Sequence, residues 1–194
     1  MTLQVSRDDG LFLLETAREA IAARIAGREP RFPSPPSPAV CMPCGAFVTL
    51  KVRDDLRGCI GHITACRPLV DTVKATAISS AFDDPRFPPL DRDEWPLVRI
   101  EISVLSPFEV VRDPKEILVG THGIMLRSGH KSGLLLPQVA TEQGWDREAF
   151  LAHACRKAGL PVDAWRAPQT RIEVFTATVF RENREEGSHG TRAE

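Results

Sequence analysis

Two stretches of the chain alternate so regularly that each calls for one buried and one open face. In the first, Ala46, Val48, Leu50 and Val52 take one side, and Phe47, Thr49 and Lys51 take the other. In the second, residues 97–105, Val98, Ile100, Ile102 and Val104 oppose Arg99, Glu101 and Ser103. A period of two is the signature of a half-buried strand. Arg53-Asp54-Asp55 supplies a turn after the first, and Leu56 to Ile60 reads as the returning strand of a hairpin. So short a connection pairs strands antiparallel.

Helical periodicity surrounds these strands. Residues 7–26 place Leu11, Leu14, Ala17, Ile21 and Ile25 on one face, with Ser6 and Asp9 spaced as a capping box and Gly27 as a stop. A second helix covers 68–81, with Leu69, Val73, Ala77 and Ala81 inward. A third runs from about Asp146 to Ala158, with Phe150, Leu151, Ala154 and Cys155 inward and Gly159 at its end. Five prolines in 30–38 make an extended connector, and Asp83 to Pro89 is a rigid loop. Residues 116–136 read as short strands broken by glycines, closed by Leu134-Leu135-Leu136-Pro137, and Arg171 to Phe180 reads as one last strand.

The pattern predicts an α+β fold, with a mainly antiparallel sheet packed with helices plus a smaller β-rich lobe. First and last strands can share one sheet. The expected division is a large lobe of about 1–107 and 165–180, a small lobe of about 108–164, and a flexible tail at 182–194. A groove between lobes is the default ligand site.

Charge narrows the function. In 194 residues, 25 Lys and Arg meet 26 Asp and Glu for a net charge of -1. A general nucleic-acid binder needs a basic excess, so none is expected. No run of about 18 apolar residues exists to cross a membrane. The polar start at Ser6-Arg7-Asp8-Asp9 lacks a signal layout, so a soluble cytoplasmic protein is expected. Five cysteines, an odd number, argue for reduced thiols rather than a disulfide framework. Cys41-Met-Pro-Cys44 has zinc or redox spacing, but no second pair accompanies it, so it reads as loop thiols. No P-loop, dinucleotide fingerprint or HExxH is present. No metal and no cofactor are called for.

The most informative segment is Leu56-Arg57-Gly58-Cys59-Ile60-Gly61-His62. Alternation puts Arg57 and Cys59 on one strand face, where a guanidinium favours thiolate over thiol. Cys59 is then a candidate nucleophile, or else a small buried strand residue. Arg57 either serves that thiol and an anionic substrate, or makes a structural salt bridge, with Glu101 as the nearest candidate. Asp84 and Arg86 either display groups to a ligand or brace their own loop. Glu101 and Ser103 either line a cleft or form a solvated face. Gln138 is either a ligand contact or a satisfied buried amide. Gly58, Gly61 and His62 complete the candidate site.

Several motifs in order resemble the AMMECR family, in prokaryotes the AmmeMemoRadiSam system protein A type. They are Phe47-Val48-Thr49-Leu50, Leu56 to Gly61, Asp84 to Pro89, Ile102 to Leu105, Ser132 to Val139, Gly144-Trp145-Asp146 and Cys155 to Leu160. The resemblance spans about 10–180. It implies an α+β protein of two lobes whose Leu56–Gly61 hallmark lies at a functional surface, and a Memo-like protein and a radical SAM protein as partners. It implies no settled reaction. Two functions are carried forward. One is an enzyme component that acts on a small or peptide-borne substrate between the lobes through Cys59, Arg57 and Glu101. The other is a scaffold whose hallmark docks partner proteins.

Overall fold

The computed structural model describes residues 4–182. In chain order the helices are α1 (Arg7–Ala26), α2 (Leu69–Phe82), α3 (Pro137–Glu142) and α4 (Arg147–Lys157). The strands are β1 (Ala46–Val52), β2 (Asp55–His62), β3 (Val98–Leu105), β4 (Glu109–Val111), β5 (Gly123–Ser128), β6 (Lys131–Leu135), β7 (Arg171–Phe175) and β8 (Ala177–Arg181). They make two four-stranded sheets, ordered β2-β1-β3-β8 and β4-β7-β5-β6. The fold is α+β, as the patterning predicts, and first and last strands do share a sheet.

The described chain divides into two compact units, residues 4–104 with 179–182, and residues 105–178. β7 hydrogen-bonds to β4 and β5, which ties 171–175 to the second unit. Of the expected tail, all but Glu182 lies outside the described residues.

In the first unit, α1 starts on a reciprocal cap. The Asp9 amide donates to Ser6 Oγ at 3.1 Å, and the Ser6 amide donates to Asp9 Oδ2 at 2.9 Å. Ser37 Oγ donates to Asp9 Oδ1 at 2.7 Å, which ties the proline-rich connector to the helix start. Gly27, at φ +63°, ends the helix in the left-handed region. The inward face is rotated from the expected one. Leu11 is 51% exposed, and the buried line runs through Phe12, Leu13, Leu14, Ala17, Ala20 and Ile21. Helix α1 packs beside α2, and α2 lies on β1 and β2, so a broader stripe is covered than a single seam. Ala46, Val48 and Leu50 face these helices in one core with Ile100 and Ile102 of β3. Each fully buried Leu or Ile there contributes about 1.5–3 kcal/mol.

The second unit buries Ile124, Leu126, Ile172 and Val174 against Phe150, Leu151, Ala154 and Cys155 of α4. Asp146 caps that helix, accepting from the Ala149 amide at 2.8 Å. Two expectations change here. Leu136 and Pro137 do not prolong a strand; Pro137 sits in the first turn of α3, where its missing N–H costs nothing. The last alternating stretch is two strands in two sheets, β7 and β8. At the break, the Thr176 carbonyl accepts from the Ser106 amide at 2.9 Å, and the Thr176 amide donates to Ser106 Oγ at 2.9 Å. A side chain thus replaces a ladder partner while the alternation runs on unbroken.

Candidate functional site

The hallmark segment lies on β2, the edge strand of the first sheet. An edge strand leaves alternate backbone groups without a partner strand. Here side chains supply them. The Cys59 amide donates to Asp84 Oδ2 at 2.8 Å, and the Cys59 carbonyl accepts from Arg86 Nη2 at 3.1 Å. Asp84 and Arg86 are joined to each other through Arg86 Nε at 2.9 Å and Nη2 at 2.7 Å. The Asp84-Pro85-Arg86 turn therefore covers the strand edge at Cys59 in place of a further strand. The Arg86 guanidinium, with the Cys59 and Arg86 amides, outweighs burial and holds the Asp84 carboxyl well below the usual range. Asp84 is 4% exposed and fully engaged, so its place is that of a brace.

The next residue is tied the other way. The Ile60 amide donates to Ser80 Oγ at 2.9 Å, and that hydroxyl donates to the Val48 carbonyl at 2.8 Å. One serine of α2 thus bridges β1 and β2. A Cβ on Gly58 would stand 2.1 Å from the Ser80 carbonyl oxygen, so the close approach of α2 requires glycine there. Gly61 is paired with Phe47, whose ring fills the space where a Cβ would go.

Arg57 departs from the alternation argument. The pairing passes from Leu50↔Gly58 to Lys51↔Leu56, so Arg57 is the extra residue of a bulge. Its Nε donates to Glu94 Oε1 at 2.7 Å and its Nη2 to the Pro88 carbonyl at 2.9 Å. Its salt-bridge partner is Glu94, not Glu101. Its Nη1 is buried with no hydrogen-bond partner. The guanidinium bonded at Cys59 is that of Arg86. Both arginines approach the Phe87 ring, at 5.8 and 5.5 Å.

The remaining candidates divide. Thr49 pairs with Cys59 on one side and Glu101 on the other, so the three form a row across β2, β1 and β3. Cys59 and Glu101 are thus about 10 Å apart across two strand spacings, on the sheet face away from the helices. Thr49 Oγ1 donates to the half-buried Cys59 Sγ at 3.3 Å. Glu101 is occupied by Arg181 at 2.6 Å and Lys51 at 3.8 Å. Ser103 shares that face, opposite Phe47, and is fully buried. His62 is exposed at the end of β2. Gln138 belongs to α3, in the second unit. Thr49, Ser80, Phe87 and Glu94 were not singled out by sequence reasoning. Thr49 and Phe87 lay inside the quoted motifs, whereas Ser80 and Glu94 carried no signal. The Arg57–Glu94 pair spans 37 residues without a motif.

Among the described residues, no group of three or more His, Cys, Asp or Glu is placed to hold a metal ion. Cys41 is exposed while Cys44 is buried.

The AMMECR1 family model matches residues 14–180. The chain belongs to that family. A relative from Methanopyrus kandleri is 46% identical, covering 95% of this chain and 93% of its own length. One from Methanothermobacter thermautotrophicus is 42% identical, covering 92% and 97%. The crystal structure of an uncharacterised protein from Pyrococcus horikoshii is similar at a TM-score of 0.87 and 42% identity, covering 92% of this chain and 93% of that one. In this member of the family, Leu56–Gly61 thus lies on an edge strand braced by Asp84, Arg86 and Ser80.

Proposed function

We propose that this AMMECR1-family chain is the substrate-binding component of a modification system that also contains a radical SAM protein and a Memo-like protein. It binds a small or peptide-borne substrate at the hallmark strand through Arg57 and Cys59. The observation that carries this reading is Arg57 Nη1, buried without a partner while the rest of the guanidinium is held by Glu94 and Pro88. A buried donor left unmade costs about 1–3 kcal/mol. A ligand's acceptor oxygen would satisfy it. Cys59 Sγ stands half-buried on the same strand, oriented by the Thr49 hydroxyl. Arg86, half-exposed, is the cation bonded at the Cys59 carbonyl.

The test is complementation of a strain lacking the protein, read by comparative metabolite and modification profiling. Arg57→Lys and Cys59→Ser should each lose a product that the unaltered chain restores, with partner association intact. Full restoration by both variants would refute the proposal. The scaffold reading has one observation in its favour: Leu56, inside the hallmark, is 42% exposed. It predicts that Leu56→Ser loses co-purification of both partners while Arg57→Lys keeps it.

A further inference from the structure

The second unit carries a recess that the hallmark site does not use. Strands β4 and β7 pair as far as Val111↔Ile172 and then part. Arg112 and Pro114 line one side of the gap and Ala167 to Thr170 the other, with Trp165 and Arg166 beside them. The space measures about 610 Å³, within the range of about 300–1,000 Å³ common for small-molecule sites.

Its lining is chemically one-sided. It includes Arg112, Arg166 and Arg171 and no acidic side chain, in a chain whose net charge is -1. Arg171 is held by Glu173 at 2.9 Å, but that carboxylate also serves Arg127 at 2.9 Å, so one anion is shared between two cations. Arg166 reaches Glu148 only at 3.3 Å, with both side chains mostly exposed. Its guanidinium lies 4.3 Å from the centre of the Trp165 ring. Among the described residues the Arg112 side chain has no hydrogen-bond or ion-pair partner. The Thr170 hydroxyl, also in the lining, is buried without one. Val111, Ile172, Pro114 and Pro168 supply apolar surface.

Guanidinium groups recognise phosphate oxygens in pairs, and an indole offers a flat face to a planar ring. We infer that this recess binds an organic phosphate with a flat, apolar body, of about the size of a nucleoside monophosphate. The arginines take the phosphate, Thr170 gains a partner for its hydroxyl, and the apolar surface with Trp165 takes the body.

The test is isothermal titration of the full chain with adenosine monophosphate, adenosine and inorganic phosphate as probes. The monophosphate should bind at least about tenfold more tightly than either part. Arg112→Ala should weaken it about tenfold, the scale of one lost charge-assisted hydrogen bond. Arg112 holds nothing in the fold, so that variant should unfold at the same urea concentration as the unaltered chain. Arg166→Ala should act likewise, and Arg57→Lys should change nothing. No binding of the monophosphate at millimolar concentration would overturn the proposal. So would phosphate binding as tightly as the monophosphate, or an affinity untouched by Arg112→Ala and Arg166→Ala.

Discussion

Removing the Asp84 carboxylate tests whether the edge of β2 is held by side chains. In Asp84→Ala the Cys59 amide loses an acceptor at 2.8 Å, and Arg86 loses the group that aims it at the Cys59 carbonyl. A hydrogen bond to a charged acceptor contributes about 1.5–3 kcal/mol. The Arg86 side chain is 52% exposed, so its ion pair adds no more than about 1 kcal/mol. The expected loss is therefore about 3 kcal/mol, or roughly 6–12 °C in melting temperature for a chain of this length. Arg86→Ala should cost only about 1 kcal/mol, because the Cys59 amide keeps its carboxylate. Urea unfolding at neutral pH measures both, and amide exchange at Cys59 reports the edge directly. Asp84 also sets a pH dependence. Its native carboxyl lies below its ordinary value of 3.8, so its contribution is full above that pH and is lost as the pH falls toward the native value. Asp84→Asn should flatten stability over that acid range. The reasoning fails if Arg86→Ala costs as much as Asp84→Ala, or if exchange at Cys59 is unchanged when Asp84 is removed.

Gly58→Ala should be far worse than Gly129→Ala. The first drives a methyl group to 2.1 Å from a helix carbonyl and should cost several kcal/mol or block folding, whereas the second meets nothing and pays only about 1 kcal/mol of backbone strain at φ +59°; denaturant midpoints compare them. Under native conditions iodoacetamide should label exposed Cys41 and Cys66 first, half-buried Cys59 next and Cys155 last, since burial both hides the Cys155 thiol and pushes its pKa up. Mass spectrometry of timed samples gives the order, and Cys155 labelling ahead of Cys59 would contradict the buried placement.

Much of the local structure was legible in the residues. Ser6 and Asp9 form the cap that their spacing predicts, and Gly27 stops the helix. The alternation of 46–52 and 97–105 marks β1 and β3 and the apolar side of each, but the side expected to be open is buried at Thr49, Glu101 and Ser103. The limits of such reading are visible at three places. Periodicity measures repeat but not rotation, so it misplaced Leu11 on the inward face of α1. It is blind to which sheet a strand joins, so it merged β7 and β8. It assumes an unbroken ladder, so it missed the bulge that carries Arg57 to Glu94 instead of Cys59.

The candidate site shows the same boundary. Leu56–Gly61 and Asp84–Pro89 stood out as motifs through the resemblance to the family. What they do to one another depends on groups 25 residues apart meeting at one backbone position, Cys59. By itself the sequence determined most of the elements and the α+β class, since these follow from residue type and short-range spacing. Only the tertiary structure decided that Asp84 and Arg86 brace the strand edge, that Arg57 carries an unpaired buried N–H, and that three arginines surround one recess. Hydrogen bonds and charge act over a few ångströms of space, and distance along the chain does not encode them.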